Sequence, residues 1–478
     1  MNLPDLKLRV PAEKIAALGT VLRKNGYTED SVKEILGVWD LSQLNGAELP
    51  RYVWQCQENG SDLAKLVKFF LLGENLTNRE APQLLGRKLV NDLLFCDLVF
   101  RDGADLFCNC VIYPCDEVFI VTDYWVTGTG HKEGQVYELG TDSFVLTRIT
   151  PREKEWKTLD LCTGSGVHAV MSALACRSSV AVDINPRALE YTAFNAALNS
   201  VECETHLGDL YSAAPEGPFD LITANPPYVP TPDPTMAVHR GVGETGEEVP
   251  ERLVAGLPER LAEGGLFSMV LEYPIYENSD YLDRLESWLG ENEGWKIVVL
   301  SFGAKDVGNY IKQHIANSPN YEEKFRSYLQ SYQEQGIVGI DFANVFIMRC
   351  GAGEPNWKHQ TLSAWPQVCK KESIAEWLET LRRYSSQNWK PEPDWKPELH
   401  SRYRTVWQNR ERTSGFLEAV EPQWLPPQPL SAAETQLIWD ISGEATVAEL
   451  QAKWLDQGRD EESFLETLRG LGLQQAFA

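Results

Sequence analysis

The stretch Thr158-Leu-Asp-Leu-Cys-Thr-Gly-Ser-Gly-Val-His-Ala169 decides the fold class of this 478-residue chain. It starts as an apolar run typical of a buried β-strand, passes through a turn of small residues, and ends in the first turn of a helix. Such a turn lets the backbone approach a ligand closely, and the helix N-terminus presents free N–H groups to a carboxylate or phosphate. Glycines at a strand-to-helix turn serve packing as often as binding, so Gly164 and Gly166 alone leave both interpretations open.

The same alternation of strand and helix continues on both sides of this stretch. Predicted strands and helices follow one another from residue 156 to residue 350, at 157–161, 167–174, 180–182, 187–198, 221–224, 251–261, 266–271, 295–301 and 340–348, with a helical insertion at 310–335. This pattern predicts an α/β fold with a Rossmann-like, doubly wound parallel sheet.

Two acidic residues follow the next strands of this sheet. Asp183 ends a strand 23 residues after Asp160, where an acidic side chain in such folds accepts hydrogen bonds from ribose hydroxyls. The alternative is that Asp183 only caps the helix that begins at Asn185-Pro186. Asp209 follows the third strand and is placed to meet an adenine amino group.

The most specific element is the loop Asn225-Pro-Pro-Tyr228 at the end of another apolar strand. Consecutive prolines fix the backbone, and the carboxyl ends of the strands are where open α/β sheets bind ligands. Asn225 and Tyr228 would therefore point into a binding crevice. A proline-rich loop exit with a surface tyrosine is the structural alternative.

These elements resemble those of class I S-adenosylmethionine-dependent methyltransferases. Within that class they resemble the HemK-type protein glutamine N5-methyltransferases and the small-domain ribosomal RNA and adenine N-methyltransferases. The resemblance covers residues 140 to 275 and implies S-adenosyl-L-methionine as cofactor. One departure is Cys162, which replaces the usual first glycine of the turn. The cofactor-binding residues that the resemblance implies are Asp160, Cys162, Thr163, Gly164, Ser165, Gly166, Asp183, Ile184, Asp209, Leu210 and Asn225.

The resemblance also implies how a nitrogen is methylated. The Asn225 side-chain oxygen and the Pro226 carbonyl oxygen each accept one N–H of the substrate, while Tyr228 packs against its planar group. The mechanism is orientation and electrostatic preorganisation, without a metal or a covalent intermediate. We therefore expect catalytic roles for Asn225, Pro226, Pro227 and Tyr228.

Two other features near this motif are candidates for a role in the reaction. A glycine-rich stretch at 240–247 is similar to one that borders the substrate pocket in HemK-type enzymes, so we expect it to act as a lid. His168 and His239 are candidates for proton transfer, although a lone histidine is usually just a hydrogen-bonded side chain.

The remaining segments suggest added domains. We predict a helical N-terminal domain at 1–90, a small β-rich subdomain at 91–148 that includes a strand at 143–146, and the methyltransferase catalytic domain at 149–351. A strap rich in proline and tryptophan, too proline-rich for regular structure, is expected at 352–430, and a winged-helix-like C-terminal helical domain at 431–478.

Charge bears on the choice of partner. The chain has 44 basic and 69 acidic residues, a net charge of −25, which repels nucleic acid unless a local basic patch overcomes it. The clearest basic cluster is Arg402, Arg404, Arg410 and Arg412. No apolar run is long enough to span a bilayer and no leader is evident, so we expect a cytoplasmic protein that binds no membrane.

The ten cysteines predict reduced thiols, and Cys108, Cys110 and Cys115 lack a second ligand pair at zinc spacing, so we expect no metal.

Three functions therefore remain. The first is an S-adenosylmethionine-dependent N-methyltransferase that acts on an amide or amino nitrogen of a protein, peptide or small molecule. The second is methylation of an RNA or DNA base, for which the same acceptor motif serves. The third is a cofactor-binding scaffold without transfer activity, which would predict a degraded acceptor motif. The oligomeric state stays open.

Overall fold

The computed structural model describes residues 11–477, except 124–133, 137, 234–240, 242, 317, 319, 364–368, 409–411, 413, 420–424, 426 and 442. An eight-stranded sheet forms its centre, in the order β13-β11-β12-β10-β9-β6-β7-β8. Only β12 is antiparallel to its neighbours. The strands are β6 (Lys157–Leu161), β7 (Ser178–Asp183), β8 (Glu204–Leu207), β9 (Phe219–Ala224), β10 (Leu261–Tyr276), β11 (Trp295–Asp306), β12 (Ile337–Arg349) and β13 (Trp357–Leu362). The predicted α/β, Rossmann-like class is confirmed.

The strand order reverses at β6, which lies between β7 and β9. In an open α/β sheet the crevice beside such a reversal, at the carboxyl ends of the strands, is the usual ligand site. The turn after β6 and the loop after β9 both open into it. The sheet topology therefore brings together the two motifs that the sequence places about 60 residues apart.

Helices cover both faces of the sheet. Along β10, Phe267, Met269 and Leu271 pack in one apolar cluster with α10 and α12, whereas Leu266 and Val270 pack in another with α7 and α15. This period of two is that of a strand buried on both faces. The helices are α7 (Thr141–Ile149), α8 (Val167–Ala175), α9 (Pro186–Asn199), α10 (Glu248–Ala255), α11 (Leu257–Arg260), α12 (Tyr281–Trp288), α13 (Val307–Ile315), α14 (Tyr321–Gln335) and α15 (Lys371–Ser385).

The N-terminal region packs against α9 and shares one apolar cluster with it. Asn195 and Asn199 of α9 each donate to and accept from the backbone of β5, at distances of 2.7 to 2.9 Å. These bonds satisfy backbone N–H and C=O groups along one edge of the hairpin that β5 forms with β4. The elements are α1 (Ala12–Lys24), α2 (Glu29–Leu36), α3 (Leu49–Asn59), α4 (Asp62–Phe70), β1 (Leu76–Thr77), α5 (Glu80–Leu84), α6 (Arg87–Phe95), β2 (Val99–Asp102), β3 (Asp105–Cys108), β4 (Val111–Cys115) and β5 (Val118–Thr122).

The predicted strand at 143–146 is wrong, because these residues lie inside α7. Ser143 to Thr147 are all buried, so the segment shows neither the period of a half-buried strand nor that of an amphipathic helix. A short apolar run that is buried on every side cannot be assigned by periodicity.

The segment predicted as an irregular strap also contains regular structure. β13 joins the central sheet, and α15 packs on it through Ile374, Trp377, Leu378 and Leu381. This helix contains no proline, so the composition averaged over the whole segment hid it.

Three helices end the chain, as predicted. α16 and α17 each begin with a capping box, Ser431 with Glu434 and Thr446 with Glu449. The predicted boundaries of the added domains stay predictions. No helix in the described ranges is long and apolar enough to cross a membrane. The remaining elements are β14 (Tyr403–Trp407), β15 (Gly415–Ala419), β16 (Gln428–Pro429), α16 (Ala432–Asp440), α17 (Val447–Asp456) and α18 (Glu461–Leu473).

Candidate active site

The turn after β6 is tied to the neighbouring strand ends by hydrogen bonds. The Thr163 N–H donates to the Val182 carbonyl oxygen over 3.1 Å. The Gly164 N–H donates to an Asp183 carboxylate oxygen over 2.9 Å. The Gly208 N–H, after β8, donates to the Asp183 carbonyl oxygen over 3.0 Å. These bonds hold the ends of β6, β7 and β8 at one edge of the crevice.

The backbone of this turn is left-handed at three positions, with φ angles of 58° at Cys162, 54° at Gly164 and 81° at Gly166. Cys162 therefore keeps the turn geometry although it carries a side chain in a conformation that favours glycine. Ser165 is buried, and its carbonyl oxygen accepts from the Asn195 side-chain amide over 2.8 Å. At Cys162, where the family pattern has glycine, this chain thus keeps a positive φ.

We expect alanine at Gly166 to weaken cofactor binding strongly. A methyl group there would lie 2.7 to 2.9 Å from Thr192 in α9, so the turn or the helix has to move. Gly164→Ala is the matched control, since its φ is also positive but no atom lies within 4 Å of the added carbon. Isothermal calorimetry with S-adenosylmethionine should show at least a tenfold larger loss of affinity, about 1.4 kcal/mol, for Gly166→Ala than for Gly164→Ala. Equal losses would contradict the packing argument.

Asp160 is buried beneath the turn, and both of its carboxylate oxygens are engaged. Thr163 Oγ1 donates to one over 2.6 Å, and Thr223 Oγ1 of β9 donates to the other over 2.7 Å. Burial raises the pKa of Asp160 to about 6, although both hydroxyl donors and the Arg152 guanidinium oppose this shift. Asp160 joins the turn to β9, and its cofactor-binding role stays a prediction.

The other two predicted cofactor acids also lie at strand ends. Asp183 is half-buried, and its second oxygen accepts from the Asn185 N–H over 2.8 Å. Burial raises its pKa. Asn185 itself caps α9, so Asp183 does not serve as the helix cap. Asp209 is exposed and forms an ion pair with Arg252 at 2.6 Å. Ile184 is 56% exposed beside this crevice, whereas Leu210, after Asp209, is buried.

The loop after β9 holds an acidic residue that the sequence did not reveal. One carboxylate oxygen of Asp142 accepts from the Asn225 side-chain amide and from the Tyr228 hydroxyl, each over 3.1 Å. Asp142 lies in the first turn of α7 and is buried. Burial raises its pKa, and the two donors oppose that shift. Pro226 is buried and Pro227 half-buried between the two bonded side chains.

Asp142 fixes which way the Asn225 amide faces. An ionised carboxylate only accepts hydrogen bonds, so the NH₂ group of Asn225 must face it. The amide oxygen then faces away from Asp142 and is available to a substrate N–H. The signal that could have revealed Asp142 is Gly140-Thr-Asp142, a helix-start pattern just before the catalytic strands.

Removing the Asp142 carboxylate should slow the reaction without weakening cofactor binding. In Asp142→Ala the Asn225 amide is free to rotate, and the Tyr228 hydroxyl loses its acceptor. A hydrogen bond to a charged group contributes about 1.5–3 kcal/mol, so we expect kcat to fall about tenfold to a hundredfold. Steady-state kinetics with calorimetry on the same protein separate the two effects. An unchanged kcat would show that Asn225 is oriented by other contacts.

The segment after Tyr228 is bound to the helical insertion. The Tyr332 hydroxyl donates to the Pro230 carbonyl oxygen over 2.8 Å, and Lys324 pairs with Asp233 at 2.8 Å. The insertion therefore forms one wall beside the acceptor motif. β10, β11 and β12 extend past the last residue of β9, because Ala224 is paired with Met269 while β10 continues to Tyr276.

The glycine-rich stretch lies partly outside the described residues, which include 241 and 243–247. Gly246 is packed against the backbone of the acceptor loop, since a carbon added there would be 2.1 Å from the Tyr228 carbonyl oxygen. Its function as a lid stays a prediction. His239 lies outside the described residues. His168 is buried, and burial lowers its pKa to about 3, so a role in proton transfer stays a prediction.

The residues at this edge of the sheet suit an adenosyl cofactor. Two acids, Asp183 and Asp209, follow adjacent strands, and the glycine turn presents backbone in the left-handed conformation beside them. Carboxylate oxygens at these positions can accept hydrogen bonds from ribose hydroxyls and from an adenine amino group. Among the described residues, no group of three or more histidine, cysteine or acidic side chains could hold a metal ion.

Comparison with known proteins gives a consistent result. The model of the methyltransferase small domain family matches residues 137–295. A release factor glutamine methyltransferase of Koribacter versatilis is 38% identical over 27% of this chain and 51% of its own length. A putative protein N5-glutamine methyltransferase of Methanocaldococcus jannaschii is 32% identical over 32% of this chain and 79% of its own length. A tRNA1(Val) (adenine(37)-N6)-methyltransferase of Yersinia enterocolitica is 28% identical over 32% of this chain and 63% of its own length.

The match to the Koribacter protein covers about half of that relative, and all three matches cover at most about a third of this chain. The matched part contains Asp142, the glycine turn and the acceptor loop. The resemblance predicted from these motifs is confirmed, and the chain belongs to the methyltransferase small domain family.

Proposed function

We propose that this protein is an S-adenosylmethionine-dependent N-methyltransferase that modifies a side-chain amide or amino nitrogen of a protein. The observation that carries the proposal is the pair of hydrogen bonds from Asn225 and Tyr228 to the buried Asp142. This arrangement leaves the Asn225 side-chain oxygen to accept an N–H of the group that is methylated. The oxygen lies next to the turn whose residues suit the cofactor. Two of the three relatives named above are called glutamine methyltransferases, which favours an amide as acceptor.

The side chains of the loop would hold the acceptor nitrogen in line for transfer. S-adenosyl-L-methionine, when bound, supplies a methyl group on a positively charged sulfur. An amide lone pair is delocalised, so the nitrogen must be drawn toward tetrahedral geometry by acceptors on its N–H groups. Asn225 Oδ1 and the Pro226 carbonyl oxygen are those acceptors, and the Tyr228 ring packs on the planar group. The turn after β6 with Asp183 and Asp209 would hold the cofactor, which would supply the methyl group in exchange for a proton of the nitrogen, while Asn225 and Pro226 would keep that nitrogen in place.

The charges of the C-terminal half disfavour RNA or DNA as substrate. Two of the four clustered arginines are neutralised, Arg402 by Glu376 and Arg404 by Glu418. Arg412 lies over the Trp439 ring, and Arg410 is outside the described residues. A scaffold without activity is disfavoured because the acceptor loop is intact and two of its side chains donate to Asp142.

The proposal is tested with methyl-labelled S-adenosylmethionine and a cell extract separated into protein, nucleic-acid and small-molecule fractions. We expect label in the protein fraction with the wild-type chain and about a hundredfold less with Asn225→Ala. Amino-acid analysis of the labelled protein should then give N-methylated glutamine or another N-methylated side chain. Label that accumulates in nucleic acid would overturn the proposal in favour of base methylation.

A further inference from the structure

Glu272 of β10 lies on the face of the sheet that α7 covers. Leu266 and Val270 of the same strand belong to the apolar cluster that includes α7. The hydroxyl of Ser268 is bonded over 3.0 Å to that of Thr150, which follows α7. Successive residues of a strand point to opposite faces of the sheet, so Glu272 shares the face of these three residues.

The register of the sheet places Glu272 just beyond the acceptor loop. The parallel pairing of β9 with β10 ends with Ala224 beside Met269. Asn225 follows Ala224 directly, whereas Glu272 is three residues past Met269, so Glu272 is about 7 Å further along the neighbouring strand. Asn225 points to the same face, because Leu221, four residues before it, packs with α7. A nitrogen held at the Asn225 side chain would therefore lie beside Glu272.

Helix α7 brings Asp142 to the same place. The helix runs antiparallel to β10, from Asp142 at the acceptor loop to its end near Ser268. The eight residues from Asp142 to Thr150 rise about 12 Å, and the four residues from Ser268 to Glu272 span about 13 Å. The two carboxylates therefore lie at the same end of the two elements. In agreement with this, the negative charge of Glu272 adds to the burial that raises the pKa of Asp142.

Three side chains favour the ionised form of Glu272, whose side chain is 13% exposed. Lys305 Nζ donates to one carboxylate oxygen over 3.2 Å, and the Tyr310 hydroxyl donates to the other over 2.9 Å. His314 Nε2 lies 3.8 Å from the second oxygen. Burial on its own would raise the pKa of Glu272, but His314, Lys305 and Tyr310 together lower it. Each carboxylate oxygen has two lone pairs, so Glu272 can still accept a proton.

The other groups at the acceptor loop are poor proton acceptors. The oxygens of Asn225 and Pro226 belong to neutral amides. Asp142 accepts the Ser143 N–H on one oxygen and two side-chain donors on the other. The transferred methyl group replaces a proton of the nitrogen, so that proton has to leave the site.

We propose that Glu272 is a catalytic residue that takes the proton released by the acceptor nitrogen. This inference rests on the proposed function and adds a residue to its mechanism. The N–H bond breaks and leaves its electron pair on nitrogen, which restores the lone pair, while an O–H bond forms on Glu272. The carboxyl group then returns the proton to water. Before this step, the negative charge of Glu272 stabilises the positive charge that develops on the nitrogen.

Glu272→Gln removes the charge with little change of shape. The test measures the initial rate of label transfer from methyl-labelled S-adenosylmethionine to the protein fraction of a dialysed cell extract, at saturating extract protein. With purified full-length chains, we expect this rate to fall about a hundredfold, the lower end of what a proton-accepting side chain contributes. The Kd for S-adenosylmethionine, measured by calorimetry, and the Tm should stay close to those of the wild type.

Glu354→Gln is the matched control. Glu354 also pairs with a lysine, Lys296 at 3.6 Å, and is 16% exposed, but it follows β12 at the opposite edge of the sheet. Its rate should match the wild type. A normal rate in Glu272→Gln, with Asn225→Ala inactive, would overturn the inference and leave the proposed function standing. Label confined to nucleic acid would overturn both.

Rescue by a small acid separates a lost proton acceptor from a distorted site. In Glu272→Ala, added sodium formate should raise the transfer rate about tenfold over the same concentration of sodium chloride, because formate can take the place of the missing carboxylate. Tyr310→Phe removes one donor to Glu272 but keeps the carboxylate, so it should lose less than about fivefold. No gain with formate, or a loss in Tyr310→Phe as large as that in Glu272→Gln, would mean that Glu272 only holds α13 in place and would overturn the inference.

Discussion

Replacing Asn225 with alanine should lower kcat about 10²–10³-fold, the effect of removing one preorganised polar group from a transition state. The variant loses the oxygen that we propose accepts an N–H of the substrate, so the nitrogen would no longer be held for in-line attack. The cofactor contacts that we propose lie mainly on the turn after β6 and on Asp183. The Kd for S-adenosylmethionine should therefore stay within about twofold of the wild type, as measured by calorimetry.

Tyr228→Phe is the matched control for this prediction. It keeps the ring that we propose packs on the acceptor, and it removes only the hydroxyl that donates to Asp142 over 3.1 Å. We expect a loss of kcat of about tenfold, smaller than that of Asn225→Ala, because the Asn225 amide is still oriented by the same carboxylate. If Asn225→Ala turned over at the normal rate, the nitrogen-orienting mechanism would have to be abandoned.

The largest expected effect on stability is that of Arg148→Met. Arg148 is part-buried at the end of α7 and forms ion pairs with Glu29 of α2, at 2.6 Å, and with Asp40. Asp40 is almost fully buried, with 1% of its side chain exposed. Loss of the arginine leaves two carboxylates without their cation, which costs about 3–5 kcal/mol of unfolding free energy. Urea unfolding followed by circular dichroism measures the change.

Arg326→Met provides the matched control. Arg326 pairs with Glu322 at 2.7 Å, and both side chains are at least 77% exposed. Exposed pairs contribute about 0–1 kcal/mol, so this variant should unfold close to the wild type. A similar loss in both variants would mean that burial of the Arg148 pairs is not what makes them important.

The sequence predicted the parts of the site that local pattern encodes. The glycine turn, Asp183 and the acceptor loop each follow an apolar strand, and the rule that ligands bind at the carboxyl ends of parallel strands placed them together. Asp142 was not predicted, because its helix is buried on nearly all sides and its apolar residues therefore do not recur every 3.6 positions. Its contact with Asn225 spans 83 residues, and no local rule predicts a pairing across that distance.

In the added regions, too, elements with a local sequence pattern were predicted and an element that depends on long-range pairing was not. The three terminal helices were predicted because each has an exposed polar face and a cap, such as the capping box of Ser431 and Glu434. β13 was not predicted. It is a six-residue edge strand in which half-buried and exposed residues alternate, so it has no buried face that a hydrophobic pattern would reveal. Its place in the sheet depends on pairing with β11, which only the folded chain shows.

Helix α7 connects the methyl-acceptor loop with the N-terminal helices. Asp142 lies in its first turn and Arg148 in its last, six residues or about 9 Å apart along one rod. The same helix therefore carries both the arginine that pairs with Glu29 and Asp40 and the carboxylate that accepts from Asn225. Any substitution that shifts α7 would therefore disturb the contacts at both of its ends, those with the N-terminal helices and those with the acceptor loop.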